Sequence, residues 1–423
     1  MRILLTTYQE KTFFYHLVPL AWALRTAGHE VRVATQPGFV DVVTKAGLTA
    51  VPVGHDSDFW RITASKPERL VEVREGIMAP YDAFDDPSKS TWDYLRPGMR
   101  EAVWGWHRTS NFPMIKGLVD FARHWQPDLV IWEPLSYAGA IAAKACGAAH
   151  ARLLWSIDIF GGVRERYLAL NRAQPAEQQT DPFADWFAGY GRKYGFEFTE
   201  DMVTGNFTID HVPPGLQIEA GSLDYLRMRY VPYGGAATVP KWLQAPPERP
   251  RVAFTLGLSA TEIFDGYNLP LAEVLDALSD LDIELVATVP EAEQRKLARV
   301  PDNARLVSYV PLHALAPTCA AAVHHGGLGT LATFAQHAVP QLTLPFHFDE
   351  PIFAAKLTGL GAGLTIDSSV ATGDSIRDAV RRLVTEESFR AGANRLRAET
   401  EALPAPNQVV AALEELTTKH RTR

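Results

Sequence analysis

The chain has little cysteine. Cys146 and Cys319 are its only two, far apart and each in an alanine-rich stretch, so a disulfide framework is excluded and both read as small core residues. It lacks a basic surplus. The formal charge is −8, and no basic stripe offsets it, which argues against nucleic acid as a partner. No apolar run approaches the ~18–20 residues of a membrane span. The N-terminal apolar run is too short for a signal peptide, and Lys11 follows it closely. The expectation is therefore a cytoplasmic protein with neither a membrane nor a nucleic-acid partner.

What is present is apolar content of 47% in 423 residues, enough for a core in each of two domains. Short β-rich runs alternate with helical ones. "RILLTT" (2–7), "EVRVAT" (30–35), "DLVIWE" (128–133) and "ARLLWS" (151–156) read as strands of a first half. "RVAFTLG" (251–257), "IELVATV" (283–289), "RLVSYV" (305–310), "AAAVHHG" (320–326) and "PQLTLPF" (340–346) read as strands of a second. Continuous apolar strands between helices predict parallel sheets covered on both faces, an α/β fold. The Pro- and Gly-rich stretch 230–250 reads as a linker. It separates an N-terminal domain (1–235) from a C-terminal one (236–405), with a last helix (406–423) expected to pack back on the first. Two segments resist the alternation. Residues 56–120 read as helical and aromatic-rich, from Trp60 through Trp106 to Phe112, and 160–215 as a long insert. Their aromatics are either core or the wall of a pocket for a bulky apolar ligand.

The strongest local pattern is "AAAVHHGGLGTLATFAQHAVPQLTLPFHFDE", 320–350. A strand ends in two histidines, glycines follow at 326, 327 and 329, and Thr330 opens a helix. Glycines let the backbone approach a ligand, and free N–H groups at a helix start favour an anion. Gly327 to Ala332 also fits the dinucleotide fingerprint G-x-G-x-x-A, with acids about 20 residues on, which would suit an NAD-dependent oxidoreductase. A histidine ahead of the glycines suits a nucleotide-sugar site instead. Neighbouring residues on a strand point to opposite faces, so one of His324 and His325 serves a cleft and the other a core.

Longer stretches carry a resemblance: "VPLAWALRTAGHEVRVATQP" (18–37), "AGLTAVPVG" (46–54), "WQPDLVIWEPLSYAGAIAA" (125–143), "AHARLLW" (149–155), "RYVPY" (229–233), "LDIELVAT" (281–288), "VPLHALAPTCAAAVHHGGLGT" (310–330) and "VPQLTLP" (339–345). Together they span nearly the whole chain. The protein resembles family-1 glycosyltransferases of GT-B fold, two Rossmann-like domains facing a central cleft. More narrowly, it resembles the actinobacterial transferases that attach deoxysugars to macrolide and aromatic polyketides in antibiotic biosynthesis. The resemblance implies inverting transfer from a TDP-sugar or other nucleotide sugar to an apolar polyketide-like acceptor. It implies no cofactor beyond that co-substrate and no metal, since the glycine turn itself supplies positive potential. His325, Gly327, Leu328, Gly329 and Thr330 would hold the diphosphate. Gly257 and Ser259 would form a second phosphate loop, and Val310 would meet the pyrimidine. Asp349 and Glu350 stand where the family often has Asp-Gln on the sugar hydroxyls. Members often need a haem-free cytochrome-like helper protein on the N-terminal domain, and a homodimer is compatible with the pattern. A homologue that binds donor without turning it over is the non-enzymatic alternative.

One position departs from the pattern. Relatives place the base histidine after a Ser or Thr in the first turn, but here Thr12 precedes Phe13. His16 follows three residues later, on the same helical face as position 13, and is the expected substitute base. The resemblance gives Glu133 the task of orienting it. Phe13 and Phe14 are expected to form an apolar wall beside it. Without such a base, a phenolic or activated carbon acceptor would need little help.

Overall fold

The computed structural model describes residues 1–57, 76–257 and 269–422; Trp60 and Ser259 lie outside them. Two parallel sheets carry the fold. The first comprises β1 (Arg2–Thr6), β2 (Glu30–Thr35), β3 (Ala50–Pro52), β4 (Leu129–Trp132), β5 (Ala149–Leu153), β6 (Phe207–Asp210) and β7 (Tyr225–Arg227), in the order β3-β2-β1-β4-β5-β6-β7. The second comprises β8 (Arg251–Thr255), β9 (Glu284–Thr288), β10 (Ala304–Val307), β11 (Cys319–His324), β12 (Gln341–Thr343) and β13 (Gly363–Thr365), in the order β10-β9-β8-β11-β12-β13. Strand order reverses between β1 and β4 and again between β8 and β11. In open α/β sheets such switch points open the crevice in which ligands sit.

The first helix, Lys11–Thr26, buries Phe14, Leu17, Val18, Ala21 and Leu24, a stripe at helical spacing that packs on the sheet. It stops short of Gly28, which sits at φ +93°, a conformation glycine adopts at little cost. The Ala138–Cys146 helix ends the same way at Gly147, φ +72°.

Four strands escaped the sequence reading: β3, β6, β7 and β13. Each is three or four residues long, too short for a period to show, and β3 ends in proline. The expected strand 151–156 lies at Ala149–Leu153, because Ala149 and His150 pair with Leu129 and Val130. The supposed insert 160–215 is part of the fold. It holds the helices Ile159–Arg172 and Pro182–Tyr194 and strand β6. Asp158 and Asp181 accept backbone N–H bonds at their N-termini. A buried arginine, Arg164, binds Asp181 and Glu200 and breaks the apolar stripe that would have betrayed the first of the two. The segment before β4 contains the helices Trp92–Glu101 and Arg108–Trp125.

The last helix, Val410–His420, places Val410 and Leu413 in the same core as Ala149 and Ala151 of the first sheet. His29 pairs with Glu414 at 3.1 Å and Arg421 with Asp128 at 2.6 Å. A second apolar cluster runs without a break from Ile157, Phe160 and Tyr230 of the first domain to Leu328 and Leu331 of the second.

Candidate active site

At the end of β11 the two histidines part as strand geometry requires. His324 is fully buried. Its Nδ1 accepts the Gly326 N–H at 3.0 Å, so its proton sits on Nε2, 2.7 Å from Gln341 Oε1. His325 faces a cavity of about 360 Å³ between the domains, also lined by Gly257 and Gly327. Its ring lies between those glycines. A Cβ on Gly327 would stand 2.5 Å from its Nε2, and one on Gly257 would stand 2.7 Å from its Cε1. Burial pushes His325 down to about 4, so the ring is neutral near pH 7.

Gly327 caps the helix Leu328–Ala335 without a side chain. The leading N–H groups of the helix are thus left for a ligand at the positive end of its dipole. Leu328, Gly329, Thr330 and Val310 line the same cavity. Beyond β12, Asp349 and Glu350 line it too and are almost fully buried. Glu350 accepts the backbone N–H groups of Phe346 and His347 at 3.1 Å each. Its other oxygen lies 3.9 Å from His325 Nε2. Asp349 accepts the hydroxyl of Ser156 across the domain boundary. Burial raises both acids, Asp349 to about 6 and Glu350 well above the usual carboxylate range. Phe348 holds φ +47°, a strained conformation for a bulky residue, and its ring stands 5.7 Å from that of Trp155.

From the first domain, Phe13 and His16 line the cavity. Phe13 stacks on Trp155 with centroids 4.3 Å apart. Phe14 does not join that wall. It starts the buried stripe of its helix and meets Phe39 edge-on, because consecutive helical residues point about 100° apart. Glu133 is also corrected. Its carboxylate accepts from the Tyr8 N–H (3.3 Å), the Leu135 N–H (2.9 Å), Trp155 Nε1–H (3.0 Å) and the Ser136 hydroxyl. These four donors occupy it, and none comes from His16. The Glu133 carboxylate thus contacts Trp155 Nε1–H and not the His16 imidazole. His16 Nδ1 instead lies 2.9 Å from Nε2 of His211, and burial takes His16 down to about 4.

The erythromycin biosynthesis protein CIII-like N-terminal domain matches residues 22–257, and its C-terminal counterpart matches 272–416. The chain belongs to this CIII-like family of glycosyltransferases. It is 45% identical to the 10-deoxymethynolide desosaminyltransferase of Streptomyces venezuelae, over all of this chain and 98% of that one. It is 42% identical to the TDP-daunosamine transferase of Streptomyces peucetius, over all of this chain and 98% of that one. Among solved structures, glycosyltransferase VinC in complex with dTDP superposes with a TM-score of 0.89 at 39% identity, covering 99% of this chain and all of that one. The two domains are those of a GT-B glycosyltransferase, and the oxidoreductase alternative finds no support.

In this CIII-like glycosyltransferase, Trp155 and Tyr230 line the cleft, and Ser156 and His211 bond the cleft residues Asp349 and His16; none of the four was anticipated. Trp155 and Ser156 ended a stretch read as strand, where a cleft position is the natural outcome. His211 follows β6, a strand too short to recognise. Tyr230 sits in the quoted "RYVPY". Its hydroxyl donates to the Gly329 carbonyl at 3.3 Å, a contact between distant parts of the chain.

Proposed function

We propose that this glycosyltransferase moves a deoxysugar from a TDP-sugar to a hydroxyl of a polyketide-type aglycone, with inversion at the anomeric carbon. The observation that carries the reading is the placement, in one cavity, of an uncapped helix N-terminus beside His325 and of the Phe13–Trp155 wall with His16 beside it. An anion and a flat apolar body find matching surfaces a short distance apart. The names of the relatives and the dTDP complex support the same pairing of substrates. The diphosphate lies on the N–H groups of Gly327 to Thr330, with His325 donating to it. Val310 and Gly257 serve the nucleotide end, and Asp349 and Glu350 the sugar. His16 Nε2 removes the acceptor proton as its oxygen attacks the anomeric carbon. The bond to the diphosphate then breaks, and its electron pair leaves with the phosphate. No metal takes part in this reading. A helper protein stays within it, and turnover by the purified chain alone at its full rate would remove that element.

The test has two arms. TDP should raise the melting temperature in a concentration-dependent way while NAD does not, since only a ligand of the native state stabilises it. Incubation with TDP-deoxysugars and a panel of macrolactone and anthracycline-type aglycones should give glycosides by mass spectrometry. Stabilisation by NAD but not TDP would overturn the reading.

A further inference from the structure

The proposed base has an unusual neighbour. His211 is 2% exposed and follows directly on β6. Asp210, the last residue of β6, accepts the Val212 N–H at 2.9 Å, Gln217 Nε2 at 2.8 Å and the guanidinium of Arg227. The turn carrying His211 is thus pinned from three directions. The His16 and His211 rings are tilted 39° to each other with centroids 4.8 Å apart. Tyr230 packs on both, at 5.7 and 5.4 Å. The titratable groups facing His211 are His16 from the first helix and Tyr230 from the chain beyond β7. On its own turn, the Asp210 carboxylate is taken up by Arg227. Glu10, His325, His347, Asp349 and Glu350 line the cavity beyond His16. Glu133, the acid expected beside the base, is saturated elsewhere.

We propose that His211 is the positioning residue of the transfer reaction, its Nε2 accepting the Nδ1–H of His16 and so presenting the bare Nε2 of His16 to the acceptor. This rests on the reading of His16 as base. The acceptor's proton passes to His16 Nε2 while the acceptor oxygen bonds to the anomeric carbon. The resulting imidazolium keeps its Nδ1–H on the His211 lone pair, and the proton returns to solvent after the diphosphate leaves. A neutral imidazole thus does the orienting that a carboxylate does in the more familiar dyad. Burial keeps both rings uncharged in the resting enzyme.

Two measurements on the full chain test this. In protein labelled with ¹⁵N-histidine, long-range ¹H–¹⁵N correlation spectra should show His16 protonated at Nδ1 and bare at Nε2. The opposite tautomer would overturn the proposal without any need for turnover. With a donor–aglycone pair that gives turnover, H211A should lower kcat about tenfold or more and leave the donor KM nearly unchanged. H211Q, whose amide oxygen can take the place of Nε2, should recover most of the loss. H211E should move the acidic limb of the kcat–pH profile upward, since a carboxylate favours the imidazolium. Parental kcat in H211A, no rescue by H211Q, or an unmoved limb in H211E would each count against the role. Where H211A does not fold, H211Q and the spectra still decide. Full turnover by H16A would instead remove the base reading itself, whereas an inactive H16A beside a normal H211A removes only this inference.

Discussion

At the residue scale, position and burial decide what each ionisable group contributes. His325 is neutral and lies against the turn proposed to hold the diphosphate. H325A should cut turnover by roughly 10²–10³, the usual loss of one donor to developing negative charge, with the melting temperature little changed. Near-parental turnover would remove it from the leaving-group site. Asp349 gives a prediction of opposite character. Burial raises it from 3.8 to about 6. Its neutral form therefore favours folding below 3.8, and that contribution is lost as pH rises through 6. At pH 7.5 the carboxylate is held charged against its surroundings. D349N keeps an oxygen for the Ser156 hydroxyl and removes the charge, so it should raise the melting temperature at pH 7.5 and much less at pH 4.5. Up to roughly 3 kcal/mol is at stake. An equal difference at both pH values in thermal unfolding would refute burial of the charge as the cause.

At the scale of the element, the glycine turn works because two backbone segments close on one imidazole. Gly327 at the helix start and Gly257 after β8 leave only enough room for the His325 ring. G327A should push the ring aside and block the leading N–H groups. By calorimetry, TDP affinity should fall about tenfold or more, some 1.4 kcal/mol, while thermal stability falls modestly because alanine is a poorer N-cap than glycine. Unchanged TDP affinity would show that the turn tolerates a side chain and that the glycines are not required for packing on His325. The first helix makes a complementary point. Its stripe of Phe14, Leu17, Val18 and Ala21 commits one face to the sheet, which leaves Phe13 and His16 for the cleft.

At the scale of the whole molecule, the two domains meet through specific bonds as well as a shared cavity. Ser156 donates to Asp349, Tyr230 to Gly329, and Tyr309 to the Gly234 carbonyl at 2.9 Å. In the proposed reading, a cleft held this way brings a donor surface from one domain to an acceptor surface from the other. In the proposed mechanism the charge on a departing diphosphate is met by backbone N–H groups and a histidine. Among the described residues, no group of three or more His, Cys, Asp or Glu could hold a metal ion. Turnover in excess chelator should equal turnover without it. Loss on chelation, restored by magnesium or manganese, would contradict leaving-group stabilisation by the turn alone.

The sequence by itself determined the α/β class, the glycine turn and the division of labour between His324 and His325. Each of these is written in local pattern: apolar runs, Pro and Gly punctuation, and the two-residue period of a strand. Even the burial of Phe14 was present in the helical spacing, although the chemistry of an aromatic wall suggested otherwise. Only the tertiary structure decided which partner each polar side chain meets. Glu133 found four donors in its own neighbourhood and left His16 to His211, a residue 195 positions away behind a strand too short to recognise. A hydrogen bond between side chains depends on where separate strands end in space, and no spacing along the chain records that distance.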